Sequence, residues 1–218
     1  MARACMRGLA LFAVVCVVTA GTAAADSSAS ADALGQFAAA WAKVNTYTCT
    51  LTAHEVLGSK TQDRVYAMYF AKPSNTRMNI TGGDGHGGAA VYHGGDTVQG
   101  HQGGWLAPIR LNVNIHSHIA TTIRGTTIAD ANWGALYDHI TGLKGSTVDA
   151  AAAGGSTTLT VTVADPTTDN DVTKEVVILG KDALPVEYDQ YQGATLVKRV
   201  TFTGVKLNVD IPASTWSL

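Results

Sequence analysis

The sequence predicts an α+β fold: one curved antiparallel β-sheet with two helices packed on it. Three observations predict it. Apolar residues recur at helical spacing twice, over residues 34–44 and again over residues 126–140. Between those segments the apolar period drops to two. From Ser156 onward the chain reads as strand and turn in alternation, a meander with no returning helical period.

The first residues are read apart from the fold. Arg3 and Arg7 precede an apolar run at residues 8–20, and small residues at Ala23 and Ala25 follow it. That is the pattern of a secretory signal peptide cleaved after Ala25, and the apolar run is too short to span a bilayer comfortably. No cysteine sits at the cleavage point, so no lipid anchor is expected there. Residues 1–25 are thus read as signal peptide, 26–32 as a flexible leader and 33–218 as a single domain. Cys5 and Cys16 leave with the signal, so Cys49 has no intramolecular partner and packing must stabilise the fold. A net charge of −2 with 15% charged residues excludes a nucleic-acid-binding surface.

In the first helix Leu34, Phe37, Ala38, Trp41 and Val44 form one apolar stripe. In residues 46–56 Tyr47, Cys49, Leu51 and Ala53 share one face, while four threonines and His54 take the other. β-branched threonine suits an exposed pleated face, so this is a half-buried strand with Cys49 as a small core residue. Residues 57–60 turn the chain. Residues 64–70 are apolar on both faces, which marks a central strand covered on both sides. Pro73 ends that strand, Arg77 to Ile80 starts the next, and Leu111, Val113 and Ile115 are in phase in a later one. Thr127 and Asp130 read as the capping box of the second helix, with Trp133, Leu136, Tyr137 and Ile140 as its stripe and Gly142 as its stop. The stretch 150–155 is low in complexity and reads as a surface loop.

Residues 81–105 hold ten glycines and three histidines, His86, His93 and His101. Gly94-Gly95 is expected to be a two-residue hairpin turn, both residues with positive φ. That register pairs His93 with Asp96 and Val91 with Val98. It sends His93 and His101 to opposite faces and leaves His86 in a loop of its own.

The order of these elements, behind a signal peptide, resembles the periplasmic lipoprotein carriers of Gram-negative bacteria, the LolA-like family. The resemblance is carried by AWAKVNTYTCTLTAHEV, YFAKPSNTRM, AAVYHGGDTVQGHQ and ILGKDALPVEYDQYQG…TFTGVKLNVDIPASTW, which follow one another through most of residues 33–217. It implies a half-open β-barrel whose apolar concave face is lidded by helices, located in the periplasm. It implies a carrier that performs no covalent chemistry and needs no cofactor. Its ligand would be a lipid or an acylated lipoprotein, its membrane-protein partners at the inner and outer membranes transient, and its working form monomeric. Candidate cavity residues are Trp41, Leu51, Met68, Phe70, Met78 and Trp133. Met78 falls where the family often has a cavity-lining aromatic, and flexible methionines suit a pocket that adapts to several chains. The residue before the strand-ending proline, commonly an arginine that latches the lid, is here Lys72, which can donate but cannot form a bidentate fork.

Two other functions stay open in the sequence. A periplasmic sensor of mislocalised lipoprotein would share the fold; such sensors carry a second domain after the barrel, and this chain closes at Leu218 with no room for one. A metal-binding protein could use His116 and His118, read as one face of a strand, with His86, His93 or His101 as a third ligand, although Asn112 and Asn114 share the parity of His116 and His118 and suggest a solvent-facing side. The acidic turn at residues 165–171 lacks the glycine and glutamate of a calcium loop and reads as solvated. No G-x-S-x-G, H-E-x-x-H or C-x-x-C motif occurs, and the glycine stretch lacks the lysine-serine end of a phosphate loop.

Overall fold

The computed structural model describes the backbone of residues 23–218, and side chains from Ser28 onward. Residues 1–22 of the expected signal peptide, with Arg3, Arg7, Cys5 and Cys16, lie outside the described residues. The chain runs α1 (Ala23–Ala42), β1 (Thr46–Leu57), β2 (Lys60–Ala71), β3 (Asn75–Gly83), β4 (Ala89–Tyr92), β5 (Thr97–His101) and β6 (Leu111–Asn114). It continues with a 3₁₀ turn (Ile128–Ala131), α2 (Trp133–Gly142), β7 (Thr147–Ala153), β8 (Ser156–Thr162), a 3₁₀ turn (Pro166–Asp169), β9 (Lys174–Leu179), β10 (Pro185–Gln192) and β11 (Thr195–Leu207).

All of these strands form one antiparallel sheet in the order β6-β5-β4-β3-β2-β1-β11-β10-β9-β8-β7. β1 pairs with β11, so the first and last strands lie side by side at the middle of the sheet. β6 and β7 are its two free edges, so the curved sheet is not closed into a barrel. The fold is the α+β, half-open arrangement that the sequence predicts.

The inner face follows from strand alternation and register. One row across it reads Val113, Val98, Tyr92, Thr76, Phe70, Tyr47, and the next reads Gly100, Ala90, Met78, Met68, Cys49. Further along, Ile80, Tyr66, Leu51 and Phe202 align, then Ala53, Val200, Tyr188, Val177 and Leu159. The following row is polar at its centre: Glu55, Lys198, Gln190 and Glu175 face one another across β1, β11, β10 and β9. All four are buried. The outer face of β1 carries Thr48, Thr50, Thr52 and His54, as its sequence period requires. In β2 the inner residues Tyr66, Met68 and Phe70 are buried, whereas Val65, Ala67 and Tyr69 on the other face are only half-buried. That face is not covered as the two-sided apolar pattern suggests.

The helices pack on the inner face. α1 lies against β7 and β8, and α2 lies against α1. Gly134 makes the second contact close, since a Cβ there would sit 2.8 Å from Trp41 Nε1. Around that approach the Trp133 indole stacks on Tyr47 at 4.3 Å and meets Trp41 and Phe202 edge-on.

Several elements differ from the sequence expectation. Residues 26–32 are not a flexible leader but the first turns of α1. Alanine favours the helix, and Ser30 and Ala33 fall seven and four residues before Phe37 on the same buried stripe. The segment 126–140 is not one helix. Thr127 and Asp130 do form a capping box, but on the 3₁₀ turn; Asn132 then goes extended and caps α2 separately through Ala135 N–H. The run at 150–155 is not a loop, because Ala150–Ala153 pair with β8 and only Gly154 and Gly155 make the turn, both at positive φ. The β4–β5 hairpin is one residue out of the expected register. Gly94 and Gly95 do have positive φ, but Tyr92 pairs with Val98 and Val91 with Gln99. The slip moves Val98 to the inner face beside Tyr92, the consequence a period of two dictates.

Candidate functional site

A cavity of about 510 Å³ lies between the inner face of the sheet and the segment that leads into α2. Much of its strand side is apolar: Leu51 from β1, Tyr66 from β2, Met78 and Ile80 from β3, Val98 from β5 and Phe202 from β11, although Glu55, Arg64 and Lys198 of β1, β2 and β11 line it too. Ile128 and Leu136 close it from the helical side. The rim is built from the glycine-rich segments, with His86, His101 and Gly103, and from Leu111 and Ile119, both exposed. Glycine has a steric reason to be there: a Cβ at Gly103 would overlap the carbonyl of His86 at 2.0 Å.

One wall is polar. Lys198 and Glu55 face each other at 3.8 Å across the β1–β11 pair. Lys198 Nζ donates to Thr126 Oγ1 at 2.8 Å, and Thr126 Oγ1 in turn donates to Glu55 Oε1 at 3.2 Å. The backbone N–H of Arg124 donates to Glu55 Oε2 at 3.1 Å, and Arg124 Nη1 caps the Val56 carbonyl. Burial pushes the Lys198 ammonium below the ordinary lysine range, with the Glu55 carboxylate opposing that shift. Tyr188, also on this wall, donates to Glu175 Oε1 at 2.5 Å, and burial raises its hydroxyl well above the usual value.

The candidate residues read from the sequence divide into two groups. Leu51 and Met78 line the cavity. Met68, Phe70 and Trp133 are buried in the core beside it, where Trp41, Tyr47, Phe70, Trp133 and Phe202 form a continuous aromatic cluster. Lys72 Nζ donates to the Trp41 carbonyl at 2.7 Å, in the last turn of α1, and lies 4.2 Å above the Trp41 ring. A carbonyl at a helix C-terminus has no partner within the helix, so a cation is favoured there. Lys72→Met keeps the aliphatic stem over the indole and removes the donor. It is expected to cost about 1 kcal/mol, because the bond is only part-buried, and to speed amide exchange selectively in the last turn of α1. Hydrogen-exchange mass spectrometry checks this, and unchanged exchange in α1 would exclude the tie.

His116 and His118 do not share a strand face. β6 ends at Asn114, whose side chain accepts from the His116 N–H, and both histidines are exposed in the turn that follows. Of the three histidines in the glycine stretch, His93 meets Asn75 Oδ1 at 2.9 Å, while His86 and His101 both reach the cavity rim. His86 does sit in a loop of its own, the β3–β4 turn, and from there it reaches the same rim as His101. Cys49 is buried, and burial pushes its thiol up to about 12, so it is an inert core residue.

Sequence reasoning missed the polar wall, although its signal was present. Glu55 has the same parity as Tyr47, Cys49, Leu51 and Ala53, and Lys198 the same parity as Val200 and Phe202. The alternation placed both charges inside.

No family model matches the chain, and no curated protein matches it. Solved structures do. A DUF1329 family protein from Desulfovibrio piger aligns at 11% identity over 87% of this chain and 97% of its own, with a TM-score of 0.46. A LolA superfamily protein from Nitrosomonas europaea aligns at 11% identity over 87% of this chain and 98% of its own, with a TM-score of 0.43. The lipoprotein LppX from Mycobacterium tuberculosis aligns at 14% identity over 82% of this chain and 97% of its own, with a TM-score of 0.45. The superfamily that the sequence resembles is thus among the structures this chain is similar to. At these scores none of them says what this chain binds.

Proposed function

We propose that the chain is an exported, non-enzymatic carrier that shelters an acyl chain of a lipid or acylated lipoprotein in its apolar cavity, acting in the periplasm as a monomer. The observation that carries this reading is the cavity itself: half-open, apolar over much of its strand side, and of a size ordinary for a small-molecule site. A lipid tail gains about 0.8 kcal/mol for each CH₂ taken out of water, so such a space is a site for alkyl chains rather than for polar metabolites. Exposed Leu111 and Ile119 at the rim continue the apolar surface outward, where a chain would enter.

The test is uptake of a fluorescent fatty-acid probe by protein that has been delipidated and refolded. Saturable binding is expected. Ala90, half-buried on the cavity wall next to Met78, offers the decisive variant. Ala90→Phe fills the space without adding charge and is expected to weaken probe binding at least about tenfold, since losing two buried CH₂ groups already approaches that factor. Circular dichroism monitors the fold of the variant. Absence of saturable binding in the native chain would sink the proposal.

A further inference from the structure

Away from the cavity opening, the fold gathers three side chains that are far apart in sequence. His139 projects from the last turn of α2, Asp169 closes the 3₁₀ turn Pro166–Asp169, and Glu175 is the second residue of β9. One potential ligand atom from each lies within 4.8 Å of the other two. His139 Nε2 is 2.9 Å from Glu175 Oε1 and 3.8 Å from Asp169 Oδ1.

The environment is unusual for two acids. Glu175 is 0% exposed and Asp169 7% exposed. Each keeps one oxygen, Glu175 Oε2 and Asp169 Oδ2, buried and without a hydrogen-bond partner. Two carboxylates in such surroundings repel each other, and a buried unpartnered oxygen loses its hydration without compensation. Burial and the neighbouring Glu175 charge push the Asp169 carboxyl up to about 6. Burial also pushes Glu175 up, but the hydrogen bond and charge of His139, with Gln190 and Tyr188, outweigh it and hold Glu175 below its ordinary value. The cluster is a pair of buried carboxyls with an imidazole at its mouth.

We infer that His139, Asp169 and Glu175 form a binding site for a divalent transition-metal cation of the Zn²⁺ class. One imidazole nitrogen and two carboxylate oxygens are a donor set that such cations accept, with water free to complete the coordination. The His139 side chain is 35% exposed, so ion and water have a way in. Glu175 is already oriented from behind: Tyr188 and Gln190 both donate to its Oε1, at 2.5 and 2.7 Å, leaving Oε2 to a ligand. Because the three ligands come from α2, the 3₁₀ turn and β9, the ion would clamp α2 to the sheet. α2 carries Leu136 on the cavity wall, so metal occupancy would stiffen the helical side of that cavity.

Isothermal titration calorimetry of the EDTA-dialysed full chain with ZnCl₂ tests the site. One equivalent is expected to bind, and Asp169→Asn and Glu175→Gln are each expected to weaken binding at least about tenfold, the loss ordinarily seen on removing even an indirect partner of a metal. Should either buried variant fail to fold, His139→Gln, at a partly exposed position, is expected to give the same loss in a folded chain. Titration with CoCl₂ should produce a visible absorption band that His139→Gln removes. The inference is overturned by absence of binding in the native chain. It is equally overturned by affinity that these variants leave unchanged while His116→Gln with His118→Gln abolishes it, which would place the ion on the exposed turn. A proton shared by the two carboxyls is then all that the cluster holds.

Discussion

Replacing Trp133 by alanine is expected to destabilise the protein by about 3–5 kcal/mol and to lower its melting temperature by on the order of 10 °C. Trp133 is 1% exposed and sits where both helices meet the sheet. Its indole lies parallel to Tyr47 of β1 and edge-on to Trp41 of α1 and Phe202 of β11. Truncation therefore removes three ring contacts and leaves a cavity bounded by rings that cannot all collapse inward. Trp105 is the internal control: it is 85% exposed, and Trp105→Ala should change stability by no more than about 0.5 kcal/mol. Thermal denaturation of the two variants side by side decides the matter. A Trp133→Ala melting point close to that of Trp105→Ala would show that the aromatic cluster does not hold the lid to the sheet.

The sequence carried most of this cluster in plain form, because Trp41, Tyr47 and Trp133 occupy positions whose period marks them as inward-facing, whereas Phe70 lies in a strand apolar on both faces, where the period names no side. Strand alternation was legible where one face is buried and the other wet and polar, as in β1, and there it located the inner face. It failed where local chemistry is ambiguous. The Gly94-Gly95 pair permits turns of more than one length, so the hairpin register was set by burial of Val98 against Tyr92 rather than by the turn. Thr127 with Asp130 is a sound cap, but nothing local says that the helix it starts stops at Ala131 and begins again at Trp133. The cavity could be anticipated only as a shape implied by resemblance, since its walls come from strands separated by more than a hundred residues. The cluster of His139, Asp169 and Glu175 was the least legible. A histidine at a helix end and an aspartate in a turn each have an ordinary local explanation, and only the β8–β9–β10 register brings them to Glu175.

Breaking the Glu55–Lys198 pair is the second large effect. Both side chains are at least nine-tenths buried, and they face each other across the central β1–β11 seam. Glu55→Gln preserves shape but takes from the buried Lys198 ammonium its main counter-charge, leaving only the weaker influence of Asp130 and Glu175, at an expected cost of about 3 kcal/mol. Lys198→Met strands Glu55 in the same way, although the Arg124 N–H and the Thr126 hydroxyl still reach it, so its cost should be no larger. Removing both charges together, as Glu55→Leu with Lys198→Met, should recover most of the loss, because desolvation of the pair disappears along with its attraction. The pH dependence has a definite sign. Lys198 titrates below its unfolded value, so between the folded and unfolded pKa the unfolded chain binds more protons and stability rises with pH. In Glu55→Gln the largest opposing charge is gone, Asp130 and Glu175 being the smaller ones, and the folded pKa falls further. The variant should therefore regain stability on going from pH 7 to pH 9 by more than the native chain does. Urea denaturation at the two pH values, on the native chain, both single variants and the double variant, measures every quantity. Additive losses in the double variant, or a Glu55→Gln stability that falls with pH, would show that the two charges do not act as a pair.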